Sequence, residues 1–171
     1  MHLDEINRIS VDDFVLELGE VYESSPWVAE SIADHRPFDS VESLAVAMRH
    51  VVDGSDPGQK LALLRAHPDL GGKLARRGKL GAHSTQEQSR LGLERLEEEE
   101  FRVFSDLNSA YQQKFGFPFI ICVALVDKAG ILAAFRKRLE HAEASELSEA
   151  LRQVHLIAEQ RLKAMFGTPD P

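Results

Sequence analysis

"STQEQSRLGLERLEEEEFRVFSDLNSAYQQKF" (residues 84–115) runs directly into "GFPFIICVAL" (116–125), and these two stretches decide between an all-helical chain and a mixed one. The first reads as one long helix. Leu93, Leu96, Val103, Phe104, Leu107 and Tyr111 recur along one face, and residues 97–100, all glutamate, lie mostly on its solvated side. Gly116 and Pro118 stop it. The apolar run after them fits one extended piece or a buried turn of helix. No second run reads convincingly as a strand, so this piece lacks a partner with which to build a sheet. The expected architecture is all-α: a single-domain helical bundle over residues 1–171, with about seven to eight helices.

Helix signals fill the rest of the chain. Ser10 is placed to cap a helix carrying Val11, Phe14, Val15, Leu18 and Tyr22 at helical spacing. Ser25-Pro26 reads as a cap followed by proline at the first helical position. Asp39 with Glu42 resembles a capping box before a stripe of Val41, Leu44, Ala45, Met48 and Val52. Asp56-Pro57 opens another helix, through Leu61 and Leu64 to His67, where Pro68 disfavours further helical backbone. Gly71-Gly72 and Gly78 punctuate a short irregular or briefly helical stretch. Helices near 128–140 and 145–166 follow.

The net charge of −8 argues against nucleic acid or an anionic membrane as the main partner. Lys73, Arg76, Arg77 and Lys79 cluster locally, and a solvated surface patch is the expected account of them ahead of a phosphate-binding role. Cys122 is the only cysteine, which excludes an intramolecular disulfide and multi-thiolate metal sites. The N-terminus lacks a signal-peptide pattern, no apolar run approaches the ~20 residues of a membrane span, and "GTPDP" at the end is not a peroxisomal address. A cytoplasmic protein is the expectation.

Four residues stand out. Projected at ~100° per residue, the last helix places Arg161 near the middle of a stripe of Leu147, Ala150, Leu151, Val154, Ala158 and Met165. A guanidinium there needs a partner. That partner is either a buried Asp or Glu, or an anionic ligand such as a carboxylate. His67 ends a helix, where a histidine serves either as a structural hydrogen-bonding group or as an acid/base. The glycines after it leave room for a ligand near the backbone. Ser84 and Glu87 fit a capping box, on a face that favours solvent; the alternative is a helix start lining a cleft. His83 has no partner at ligand spacing, and no nucleotide or serine-hydrolase motif occurs, so a metal site and those chemistries are not expected. Cys122 reads as a small buried hydrophobe.

"HPDLGGKLA" (67–75), Ser84-Thr85-Gln86-Glu87-Gln88, "LNSAYQQKFGFPFIICV" (107–123), "ILAAFRKRLEH" (131–141) and "IAEQRL" (157–162), in that order, resemble the family of 2-oxo-4-hydroxy-4-carboxy-5-ureidoimidazoline (OHCU) decarboxylases over roughly residues 10–166. The resemblance implies an all-helical homodimer that takes OHCU, a small molecule, to (S)-allantoin and CO2 in urate breakdown, without cofactor or metal. It implies that His67 is the catalytic acid/base, that Glu87 is its acidic partner, and that Arg161 matches the family's last-helix arginine. It also implies that Pro68, Ser84, Gln88 and the backbone of Phe119, Ile120, Ile121, Cys122 and Val123 line the substrate site. Two departures stand beside this: His141 where the family often has Asn, and a loop whose Gly72, Leu74 and Arg76-Arg77 make it more basic than the usual alanine-rich version.

"HPD" between helices is also the signature of J-domains, but the helix before it carries only Lys60 and Arg65 where a strongly basic helix is required. A helical interaction module without catalysis remains the other alternative. It requires His67, Glu87 and Arg161 to be far apart or exposed.

Overall fold

The computed structural model describes residues 2–167, without the side chains of Leu74 and Arg76. The readings of "GTPDP" and of those two side chains fall largely outside it. Ten α-helices appear among the described residues: α1 (Leu3–Ile6), α2 (Val11–Leu18), α3 (Trp27–Ile32), α4 (Val41–Gly54), α5 (Pro57–Arg65), α6 (Lys73–Arg76), α7 (Ala82–Ser89), α8 (Glu98–Phe115), α9 (Lys128–Arg138) and α10 (Glu143–Phe166). Two of them, α1 and α6, are only four residues long. No strand occurs among the described residues, so the chain is all-α as expected. It divides into two compact units, Met1–Ala66 with His155–Pro171, and His67–Val154.

In the first unit the helix starts follow local chemistry. The Ser10 hydroxyl accepts the Asp13 N–H at 3.1 Å and opens α2. The Asp56 carboxylate accepts from Gly58 and Gln59 N–H ahead of α5, with Pro57 in the first turn. The Asp39–Glu42 box is corrected by one residue. Ser40, in extended backbone, caps α4, and it exchanges hydrogen bonds with Ser43. Phe14, Leu18, Val28, Ile32, Leu44, Met48, Val52 and Leu64 form the core. Each such side chain contributes ~2 kcal/mol by leaving water.

Two polar groups interrupt that core. His155 is buried, with Nδ1 2.8 Å from the Tyr22 hydroxyl and Nε2 3.1 Å from Asp53 Oδ1. A neutral ring satisfies both, donating from Nε2 to Asp53 and accepting from Tyr22 at Nδ1. Arg161 is 3% exposed, and its Nη2 donates to the Glu23 carboxylate at 2.7 Å while Nη1 donates to the Glu20 carbonyl at 3.0 Å. The expected apolar-face position of Arg161 holds, and a buried carboxylate meets its charge.

The second unit corrects the long helix. Residues 84–115 do not form one rod: α7 ends at Ser89, a 3-10 turn covers Leu93–Arg95, and α8 starts at Glu98. Gly92 sits at φ 66°, the left-handed region where a helix terminates. The glutamates of 97–100 then gather at the start of α8, where the helix dipole favours negative charge. The "GFPFIICVAL" stretch combines both options. Residues 118–122 are irregular, a 3-10 turn covers Val123–Leu125, and 117–123 are all buried. Phe119 stacks on Phe135 with ring centroids 3.7 Å apart, and Tyr111 meets Phe119 edge-on at 5.2 Å.

Candidate active site

The site builds from the loop after α5. Pro68 excludes helical backbone at His67, and the helix ends at Arg65, two residues earlier. His67 is buried at the start of the second unit. Three amide side chains read the loop that follows. Gln88 on α7 accepts the Gly71 N–H at 3.0 Å and donates to the Asp69 carbonyl at 3.2 Å. Asn108 on α8 donates to the Leu70 carbonyl at 2.9 Å, and Gln112 donates to Asp69 Oδ1 at 2.7 Å. Burial pushes the Asp69 carboxyl above its ordinary value, and the Gln112 hydrogen bond offsets part of that rise.

The glycines of this loop let its backbone pack closely, and Gly72 also lines an open cavity with Asp69, Asn108 and Gln112. A Cβ on Gly71 would come within 2.6 Å of Leu96 Cδ1, and φ there is 58°. One on Gly72 would come within 2.8 Å of the Asp69 Cβ. The loop is tight because its own core presses against it.

The capping box of Ser84 and Glu87 is also corrected. Gly81 precedes the first residue of α7, so Ser84 lies inside the first turn and Glu87 one turn further on. Ser84 and Gln88 are buried and Glu87 is half-buried, on the face that the wheel had assigned to solvent. Residues three and four apart share a helix face. Ser84, Glu87 and Gln88 therefore form one polar patch facing protein.

That patch reaches the 117–123 stretch. Helix α7 packs on the 3-10 turn Val123–Leu125, and Arg90, just past its end, donates from Nη2 to the Val123 and Ala124 carbonyls at 3.2 and 2.9 Å. Burial pushes the Cys122 thiol up, and the Glu87 charge adds to the rise. Cys122 is buried in its thiol form, as expected of a small hydrophobe. Further along, Arg138 Nη1 donates to the Ile120 carbonyl at 2.6 Å, and Gln153 Oε1 accepts the Cys122 N–H at 2.8 Å.

The second unit thus holds His67, Pro68, Ser84, Glu87, Gln88 and Phe119–Val123, while Arg161 lies in the first. Sequence reasoning missed Asn108, Gln112, Arg138 and Gln153. Asn108 carried a usable signal, since it stands between Phe104 and Tyr111 on the buried stripe of α8. Among the described residues no group of three or more His, Cys, Asp or Glu gathers as metal ligands do, and no helix is long and apolar enough to cross a membrane.

Comparison with known proteins follows the same residues. The family profile described as OHCU decarboxylase matches residues 7–163. The 2-oxo-4-hydroxy-4-carboxy-5-ureidoimidazoline decarboxylase of Haloferax volcanii is 41% identical over 97% of this chain and 96% of its own length. The uric acid degradation bifunctional protein of Bacillus subtilis is 36% identical over 94% of this chain, which spans 32% of it. A solved (S)-allantoin synthase superposes with a TM-score of 0.79 at 32% identity, covering 99% of this chain and 56% of that one.

Proposed function

The chain belongs to the OHCU decarboxylase family, and from that premise we infer that it decarboxylates 2-oxo-4-hydroxy-4-carboxy-5-ureidoimidazoline to (S)-allantoin and CO2 in urate breakdown. Family membership sets aside the chaperone-partner and non-catalytic readings of "HPD".

The substrate carries a carboxylate and a hydroxyl on one ring carbon, next to a C=N bond. As the carbon–carboxylate bond breaks and CO2 leaves, the electron pair moves into the C=N group, the ring nitrogen takes up a proton, and an enol-like intermediate remains. The substrate supplies its own electron sink, so the reaction asks the protein for orientation and proton transfer. The intermediate then loses its hydroxyl proton and gains one on carbon from a single face, which sets the S configuration.

His67 is the acid/base in this reading, and Glu87 orients it or holds the substrate hydroxyl. Ser84, Gln88, Pro68 and the 119–123 backbone hold the amide-rich ring and ureido tail. After one bond accepted from Gly71 and one donated to Asp69, the Gln88 amide keeps one hydrogen and one carbonyl lone pair for this. Arg161 is assigned to the substrate carboxylate or the developing oxyanion through its match to the family motif. The enzyme is taken to work in the cytoplasm as a homodimer, with neither metal nor organic cofactor.

One observation carries the reading. Gln88 ties the His67–Gly71 loop to α7, the helix that also carries Ser84 and Glu87 and packs beside the 123–125 turn. The test is circular dichroism of freshly generated OHCU with the purified protein. The expected outcome is fast appearance of the (S)-allantoin signal. Slow appearance of racemic product, as without protein, would contradict it.

A further inference from the structure

Ile121 lies within the buried 117–123 stretch, and neither its N–H nor its C=O is hydrogen-bonded to any of the described residues. Buried backbone groups are nearly always paired, so this pair calls for a ligand or water. The peptides on either side of Ile121 are fixed by side chains. Arg138 Nη1 holds the Ile120 carbonyl at 2.6 Å, and Gln153 Oε1 holds the Cys122 N–H at 2.8 Å. In a trans peptide the C=O and N–H point in opposite directions. The Ile121 N–H is therefore turned away from Arg138, and the Ile121 C=O away from Gln153.

Both tethers are themselves locked. The Arg138 guanidinium lies over the Phe119 ring, 4.4 Å from its centroid, and Nε donates to Glu146 Oε1 at 2.8 Å. The same Glu146 oxygen accepts from the Tyr111 hydroxyl, and Oε2 meets His141 Nδ1 at 2.8 Å. Gln153 Nε2 donates to Glu149 Oε1 at 2.8 Å. A buried Arg–Glu pair contributes little net stability against apolar residues of the same volume. Stability alone thus leaves the pair unexplained, whereas its grip on Ile120 gives it a task.

We propose that Arg138 and Gln153 are positioning residues, which orient the peptides flanking Ile121 so that its N–H and C=O present a donor–acceptor pair to an amide or ureido edge of the substrate. This rests on the decarboxylase reading above and extends it to residues that do not touch substrate. A contact of this kind is made equally in ground and transition states, so its loss raises KM and spares kcat.

The test is steady-state kinetics on OHCU with Gln153→Leu, with the double variant Gln153→Glu/Glu149→Gln, and with Arg138→Met/Glu146→Leu. The double variant at 153 and 149 keeps an acceptor for Cys122 and restores the donor between the two helix positions. Loss of one positioned hydrogen-bond pair corresponds to a KM rise of about tenfold, with kcat within about twofold of wild type. That result is expected for Gln153→Leu and Arg138→Met/Glu146→Leu. KM should return to within about threefold of wild type in Gln153→Glu/Glu149→Gln. Gln153→Leu that keeps the wild-type thermal midpoint and the wild-type KM overturns the proposal, and so does failure of the rescue. If Arg138→Met/Glu146→Leu fails to fold, the Gln153 series decides alone. Wild type is the control: a wild type inactive on OHCU overturns the decarboxylase reading and this proposal with it, whereas an active wild type with unaltered variants overturns only the proposal.

Discussion

Single residues set the sharpest constraints. Gly71 has a left-handed backbone and no space for a Cβ beside Leu96. Gly71→Ala combines the cost of that conformation with overpacking, ~2–4 kcal/mol together. Urea unfolding should show a loss in that range, because the loop carrying His67 has no slack to absorb it. His155 makes a different prediction. Burial holds its pKa below the ordinary 6.5, and the Asp53 carboxylate recovers only part of the shift. Arg49 opposes protonation and Glu159 favours it weakly, while Tyr22, the other group facing the ring, is held in its neutral form with a raised pKa. The unfolded chain then binds the proton more readily than the folded one. The stability from neutral His155 is complete above about pH 6.5 and is lost as pH falls through the lower folded value. Chemical denaturation from pH 7.5 to 5 should show this fall in wild type, and His155→Gln should flatten it.

At the scale of elements, two caps were legible, whereas those read at Ser25, Asp39 and Ser84 moved: Pro26, Ser40 and Gly81 stand at the caps instead. Ser10 and Asp56-Pro57 act where the sequence places them, because a cap needs only its own next three residues. Gly92 was not legible, since it interrupts a run whose apolar spacing continues on both sides. The turn appears only when α7 and α8 each pack separately. Gly92→Ala meets no neighbour within 4 Å, so it carries the conformational cost alone, ~1–2 kcal/mol. The comparison with Gly71→Ala in the same urea series separates backbone strain from crowding. Glu146 and Gln153 were illegible for a further reason. A polar residue on a buried helix face reads as an error in the pattern until a distant backbone group supplies its partner. The residues around the site that came from local motif, His67 and Pro68, were placed by a rule that acts over two residues. The positions that hold the loop came from helices far along the chain.

Over the whole molecule, the family match covers residues 7–163, nearly all of the chain. The helical class needed only the periodicity of its apolar residues and the lack of a second strand. The chemistry needed the ordered motifs, because spacing alone left His67, Glu87 and Arg161 each with an adequate structural explanation. Arg161 keeps one in the structure, its pairing with buried Glu23. His67 therefore bears the central claim, that one histidine moves the protons of a decarboxylation for which the substrate provides the electron sink. The direct measurement is the rate of (S)-allantoin formation from OHCU by His67→Asn against wild type, at matched thermal midpoints. The account predicts a loss of about 10²–10⁴-fold, the usual contribution of a general acid/base. A folded His67→Asn enzyme that forms (S)-allantoin at the wild-type rate would contradict it.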